Sequence, residues 1–233
     1  MLAAGRFRLR SALLTEAAFE DLRDVLGEAA VYVAREETIK GVVGFNFHRG
    51  CIGVGERGTE PSLEALLGRL APGPSLLVIL EGMTNPDNVG GVFRNALAFG
   101  VGAVVLSPGC ADPLYRKAIR VSMGGALQTP FAHAAEWPAA LDQVRTAGFT
   151  VVALTPRADA VDIAEFGAGR AIPERVALLL GAEGQGLSEA ARTAADVAVR
   201  VAMAPGVDSL NVATVSGIAL HRLGGAARRP GAT

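Results

Sequence analysis

The chain has 233 residues, with 22 Lys and Arg against 23 Asp and Glu and a formal net charge of -1. That size permits one large domain, or one of about 150 residues with a smaller appendage, and the near-neutral balance excludes a global positive field drawing the protein onto a polyanion. Half of the residues are hydrophobic and only 5% aromatic, and 29 Gly with 12 Pro imply many tight turns between Ala/Val/Leu-rich elements, the composition of an α/β enzyme.

Thr15 is placed to cap a helix through EAAFEDLRDVL, after which AVYVA reads as a strand, EETIKGVV as a second helix and CIGVG as a short strand. Residues 1–58 thus form a small α/β unit, and residues 59–74 hold a linker and a leading helix, SLEALLGRL, with Ser62 as its cap. A larger domain spans 75–228. It opens with SLLVILEG, apolar on both faces like a buried parallel strand, followed by a helix from about Val89 to Phe99, the strand AVVLS and a helix around LYRKAIRVSM. Then come helix AALDQVRTA, strand FTVVAL, strand VALLLG, helix SEAARTA, strand VAVRVAM, a final helix from about Ser209 to Leu223 and a fraying tail. Alternating strands and helices predict right-handed βαβ crossovers, a parallel sheet and helices on both faces.

Neither Cys51 nor Cys110 sits in a CxxC or Cys/His pattern, so no metal is expected. The start has no apolar core followed by a small-residue cleavage site, and no stretch approaches the roughly 18 apolar residues of a membrane span. A cytoplasmic protein without a membrane partner is the expectation. Two basic clusters stand out: Arg6, Arg8 and Arg10 alternate near the start, and Arg116, Lys117 and Arg120 share one short stretch. Each is either a solvated face or edge strand, or a local patch that grips phosphates.

Ligands of parallel sheets sit beyond the carboxyl ends of the strands, which singles out four loops, those after LLVILEG, FTVVAL, VALLLG and VAVRVAM. After the first strand of the larger domain, Asn88 is placed to open a helix, and Arg94 follows six residues later. At about 100° per residue their faces differ by roughly 120°, so they flank a ligand rather than share a stripe; an Asn cap and a surface Arg are the plain alternative. After VALLLG comes AEGQGLS, a glycine-rich turn whose one carboxylate is Glu183. It lacks the GK[ST] ending of a P-loop, and no GxGxxG follows the first strand, which disfavours a dinucleotide-dependent oxidoreductase. After VAVRVAM, Asp208 or Ser209 is placed to cap the last helix, with Asn211 in its first turn and small residues (Ala213, Ser216, Gly217, Ala219) permitting close packing.

Taken together, NPDNVGGVFRNALAFG, LLLGAEGQGLS and VAMAPGVDSLNVATVSGIAL resemble, in order, the three motifs of the SpoU/TrmH branch of the SPOUT RNA methyltransferases, over about residues 75–225. The resemblance implies a SPOUT fold with a carboxyl-terminal trefoil knot and a homodimer whose sites draw on both subunits. It implies S-adenosylmethionine as cofactor and transfer of its methyl group to a ribose 2′-hydroxyl of RNA, rRNA in preference to tRNA. Carried over, the catalytic group is Asn88, Arg94, Glu183, Ser209 and Asn211. The cofactor rests on Leu154, Thr155, Gly181, Ala182, Glu183, Gly186, Val201, Met203, Leu210 and Asn211, and RNA on Arg116, Lys117, Arg120, Arg6, Arg8 and Arg10. VYVAREETIKGVVGFNFHRG resembles part of the small ribosomal-protein-like domain with which many members hold rRNA. Measured against that domain, the chain begins near its first helix, without the preceding strand and its RF-x-x-EG stretch. A guanidinium stays charged at neutral pH, so Arg94 is expected to stabilise developing alkoxide charge and grip phosphate rather than act as a base, with Glu183 holding it or capping backbone amides. The alternatives are a tRNA 2′-O-methyltransferase and a non-catalytic RNA-binding or cofactor-binding member of the same fold.

Overall fold

The computed structural model describes residues 6–44, 50–166 and 172–227. The segment 45–49, part of the stretch expected to resemble a ribosomal-protein-like domain, and the tail from 228 on, lie outside them. Two compact units divide at residues 59 and 60.

The first unit holds a three-stranded sheet. Strand β1 (Leu9–Leu14) is central, parallel to β2 (Ala30–Val33) and antiparallel to β3 (Cys51–Gly55). A strand therefore does precede the first helix, contrary to expectation. Its period of two is hard to read because a bulge at Arg10 shifts the register between Leu9 and Ser11, turning Arg10 outward while Ala12 and Leu14 are buried. Helix α1 (Glu16–Leu22) begins at Thr15, whose hydroxyl accepts from Ala18 N at 3.3 Å, and ends four residues short of expectation in a 3-10 turn, Arg23–Val25. Helix α2 (Glu36–Val43) closes on Gly44 at φ +71°.

The second unit is a seven-stranded sheet, parallel at every pairing, built from β4 (Ser75–Glu81), β5 (Ala103–Leu106), β6 (Phe131–His133), β7 (Thr150–Leu154), β8 (Val161–Asp162), β9 (Arg175–Gly181) and β10 (Val197–Arg200). They lie in the order β6-β5-β4-β9-β7-β10-β8. Strands β6 and β8, three and two residues long, were not expected; they are too short for a period to register. Alternate residues of β4 feed opposite cores. Leu76, Val78 and Leu80 pack with α4 (Pro86–Ala98) and α9 (Val212–Ala227). Leu77 and Ile79 pack on the other face with α3 (Leu63–Gly68), α7 (Ala140–Thr146) and α8 (Glu189–Thr193). Both faces are therefore covered, as an all-parallel sheet requires. Two short helices, α5 (Arg116–Val121) and α6 (Gly125–Gln128), pack against α4.

Glycines set how closely α4 sits to its neighbours. A Cβ on Gly91 would lie 2.5 Å from that of Ala213 on α9, and one on Gly90 would lie 2.7 Å from the Ala118 carbonyl on α5. Asn95 fastens α4 to α9, its amide donating to Ala213 O at 2.6 Å and to the buried Ser216 hydroxyl at 3.0 Å.

Candidate active site

The site grows from the carboxyl ends of three adjacent strands, β9, β7 and β10. A cavity of about 510 Å³ opens there, within the roughly 300–1,000 Å³ typical of small-molecule sites. Its wall includes Leu154 and Thr155 after β7, Gly181 to Gly184 and Gly186 after β9, Val201 and Met203 after β10, and Asp208 to Val212 at the start of α9. The chain thus brings to one cavity all ten residues expected against a cofactor, together with Ser209.

Local chemistry explains the shape. Beyond β9 the chain turns back on itself, Gly186 N donating to Ala182 O at 2.9 Å, with Gly184 and Gly186 at φ +82° and +68°, a backbone region costly for other residues. Gly181 is required for a different reason. A Cβ there would stand 2.3 Å from the Gly186 carbonyl carbon and 2.4 Å from Leu187 N, so the turn closes only over a bare backbone.

The third segment differs from expectation in one detail. Helix α9 begins at Val212, and its cap is Asn211 rather than Asp208 or Ser209: Oδ1 accepts from Ala213 N at 2.9 Å and Thr214 N at 3.3 Å. The other end of the same side chain donates from Nδ2 to Asn88 Oδ1 at 2.9 Å. Asn88 is not the cap of α4 either. That role belongs to Asn85, whose Oδ1 accepts from Asp87 N at 2.9 Å, with Pro86 at the first helical position. Asn88 is instead a buried first-turn residue (6% exposed) facing α9, and through it the loop after β4 meets the cavity wall.

Arg94 stands apart. It lies on the exposed side of α4, is not among the residues lining the cavity, and has no hydrogen-bond or ion-pair partner among the described residues. Glu183 is exposed on the cavity wall and likewise unpaired, so the expected contact between Glu183 and Arg94 does not form within one chain. The reason is the helical offset: the face of α4 carrying Asn88, Gly91 and Asn95 is spent on α9.

Of the basic residues, Arg116 and Arg120 are exposed on α5, whereas Lys117 is held by Asp87 at 2.8 Å. Arg6, Arg8 and Arg10 belong to the first unit, Arg6 lying over the Phe7 ring at 5.3 Å and the other two being exposed. Val212 and Val215 line the cavity without having been singled out in the sequence, and Asp208, read there only as a helix cap, lines it as well. Among the described residues no cluster of His, Cys, Asp and Glu is arranged to hold a metal, and no helix is long and apolar enough to cross a membrane.

A parallel sheet with a glycine-walled cavity at its carboxyl edge defines a ligand-binding α/β domain. Residues 75–221 match the model of the SpoU rRNA methylase family, and the chain belongs to that family of RNA methyltransferases. It is 41% identical over 222 residues, 94% of this chain and 75% of the relative, to an uncharacterized tRNA/rRNA methyltransferase of Mycobacterium bovis. It is 31% identical to the 23S rRNA (guanosine-2'-O-)-methyltransferase RlmB of Ralstonia nicotianae, covering 80% of this chain and 73% of the relative. Among solved structures, the SpoU methyltransferase AviRb of Streptomyces viridochromogenes superposes with TM-score 0.80 at 23% identity, over 97% of this chain and 85% of the other. An RNA 2'-O ribose methyltransferase gives 0.72 at 28% identity, over 95% and 83%.

Proposed function

We propose that the chain transfers a methyl group from S-adenosylmethionine to a ribose 2′-hydroxyl of RNA, with rRNA as the preferred substrate. The carrying observation is the Asn211–Asn88 hydrogen bond, which ties the first and third motif segments together at the rim of a cavity walled by the second. Names of relatives support the ribose position, since RlmB is a guanosine-2'-O-methyltransferase of 23S rRNA.

The cavity suits the cofactor on its own chemistry. Leu154, Leu180, Val201 and Leu210 offer apolar surface for a flat base, and the bare backbone at Gly181 lets amide and carbonyl groups come close. Glu183 and Asp208 line the wall without cationic partners among the described residues, complementing a ligand that carries positive charge. When bound, S-adenosylmethionine supplies a methyl group already activated by its sulfonium. Leu154, Thr155, Gly181, Ala182, Gly186, Val201, Met203 and Leu210 hold it.

The remaining task is a weakly acidic alcohol that must be held in line and stabilised as it loses its proton. Positioning alone contributes up to roughly 7–11 kcal/mol in the best intramolecular models. Asn88, Ser209 and Asn211 orient the ribose, and Arg94 stabilises the developing alkoxide and binds the neighbouring phosphate. Because Arg94 is exposed and does not line its own chain's cavity, it serves the cavity of a second copy in a homodimer whose carboxyl-terminal region is knotted. Exposed Arg116 and Arg120, with Lys117 beside them, hold RNA on the side of α4 that carries Arg94, and Arg6, Arg8 and Arg10 add contacts from the first unit. Mapping 2′-O-methyl positions in total RNA from cells with and without the gene tests the proposal. Loss of a defined rRNA methylation supports it, loss of a tRNA methylation moves the substrate, and an unchanged map refutes it.

A further inference from the structure

A buried carboxylate next to the cavity is unused by the mechanism above. Glu81 ends β4, whose preceding residues Leu76 to Leu80 are all buried and apolar, and it is itself only 8% exposed. Its Oε1 accepts from Trp137 Nε1 at 2.6 Å and from the Ser188 hydroxyl at 2.7 Å; its Oε2 accepts from Ser188 N at 2.9 Å. A buried charge is tolerated only when hydrogen-bonded or paired, and here three donors converge on it. Their direction is fixed. The Ser188 oxygen also accepts from Ala191 N at 3.1 Å, as cap of α8, which commits the hydroxyl proton to Glu81.

The same residue also grips the other end of the glycine turn. In the ladder between β4 and β9, Glu81 pairs with Gly181, so its backbone holds the point where the turn leaves the sheet and its side chain holds Ser188, where the turn enters α8. Between these anchors lie Ala182, Glu183, Gly184 and Gly186, all on the cavity wall, and the turn's own backbone bridge is a single one, Ala182 to Gly186. A segment with two glycines loses much conformational freedom on ordering. A clamp at both ends reduces the freedom left to lose when a ligand binds.

We propose that Glu81 is the positioning residue that holds turn 181–188 in the shape that accepts S-adenosylmethionine, with Trp137 fixing the carboxylate from its other side. This rests on the reading of the cavity as the cofactor site. Glu81 itself lines no part of the cavity; its influence passes through Ser188.

The test is a double-mutant cycle read by calorimetric titration with S-adenosylmethionine, alongside thermal melts and steady-state kinetics. In Glu81→Gln one carboxylate oxygen becomes an amide that faces Ser188 donor against donor, which breaks the contact with Ser188 as a whole. Affinity is expected to fall about ten- to hundredfold, as a rise in KM for the cofactor with kcat at saturation within about twofold. Ser188→Ala, which keeps the carboxylate, is expected to weaken binding by about three- to tenfold in the wild-type background and by less than about twofold on top of Glu81→Gln, because both changes break one linkage. Should Glu81→Gln fail to fold, Ser188→Ala alone carries the test, and its unchanged affinity overturns the proposal. Additive losses, or an affinity loss that merely follows a loss of folded protein with kcat falling in step, overturn it as well. If the wild-type protein does not bind S-adenosylmethionine, the reading of the cavity fails and this inference with it; if it binds and both variants match it, only this inference fails.

Discussion

Gly181→Ala is the sharpest single perturbation of the site. The added methyl carbon would stand 2.3 Å from the Gly186 carbonyl carbon, 2.4 Å from Leu187 N and 2.5 Å from Gly186 O, short of ordinary carbon contact (about 3.5 Å) by roughly 1.2 Å. All three obstacles are backbone, so no side chain can swing aside. Something must move by about an ångström, and the mobile partner is the turn rather than the strand: β9 is buried between β4 and β7, whereas Glu183, Gly184 and Gly186 are exposed. Overpacking of this kind costs about 1–3 kcal/mol. Expressed wholly as a displaced binding wall, that weakens S-adenosylmethionine by about 5- to 150-fold. The assay is calorimetric titration at 25 °C with a thermal scan of the ligand-free protein. A large rise in Kd is expected with a Tm loss below about 4 °C, since roughly 1 kcal/mol shifts a unit of this size by 2–4 °C. Wild-type affinity in a folded Gly181→Ala protein would refute the reasoning.

Three further outcomes follow from the same geometry. Asn211→Ala removes the one oxygen that accepts both capping bonds of α9, from Ala213 N and Thr214 N, and strands the buried Asn88 Oδ1, so urea unfolding should show a loss of about 2 kcal/mol and methyl transfer should collapse. If each cavity takes Arg94 from a second copy, mixing Arg94→Ala with Asn211→Ala protein and allowing subunit exchange should restore about a quarter of the wild-type sites; two inactive proteins that stay inactive after proven exchange contradict the shared site. Burial pushes the Cys110 thiol above its usual range, leaving less thiolate at any given pH. Mass spectrometry after brief alkylation near pH 8 should therefore find exposed Cys51 modified and Cys110 spared; equal labelling would contradict the packing around Leu80 and Ser107.

The sequence carried most of the fold because its strands are apolar and its breaks are marked by glycine and proline. Helices opened by an unambiguous cap, such as Thr15 and Ser62, were located at their true starts. Where several side chains competed for the cap, the start slipped: Asn85 stands three residues before Asn88, and Asp208, Ser209 and Asn211 all precede α9. Pro86 was the discriminating signal for α4, since proline is at home at a first helical position and Asn85 directly precedes it. The cavity wall was legible through the resemblance of its loops to known motifs. Glu81 was not, because a charge ending an apolar strand reads as the beginning of a loop, and nothing local reveals that Trp137 and Ser188 meet there. Arg94 illustrates a different limit. Spacing shows that it leaves the face of Asn88, but nothing in the spacing says what that exposed face meets.

Methyl transfer to a ribose hydroxyl, as opposed to a base, is decided by where a label ends up. The purified protein would be incubated with methyl-tritiated S-adenosylmethionine and rRNA, and the RNA hydrolysed in alkali, a cleavage that needs a free 2′-hydroxyl. Radioactivity is expected in alkali-resistant dinucleotides, and none with Arg94→Ala. Label released in mononucleotides, as from a methylated base, would overturn the ribose assignment.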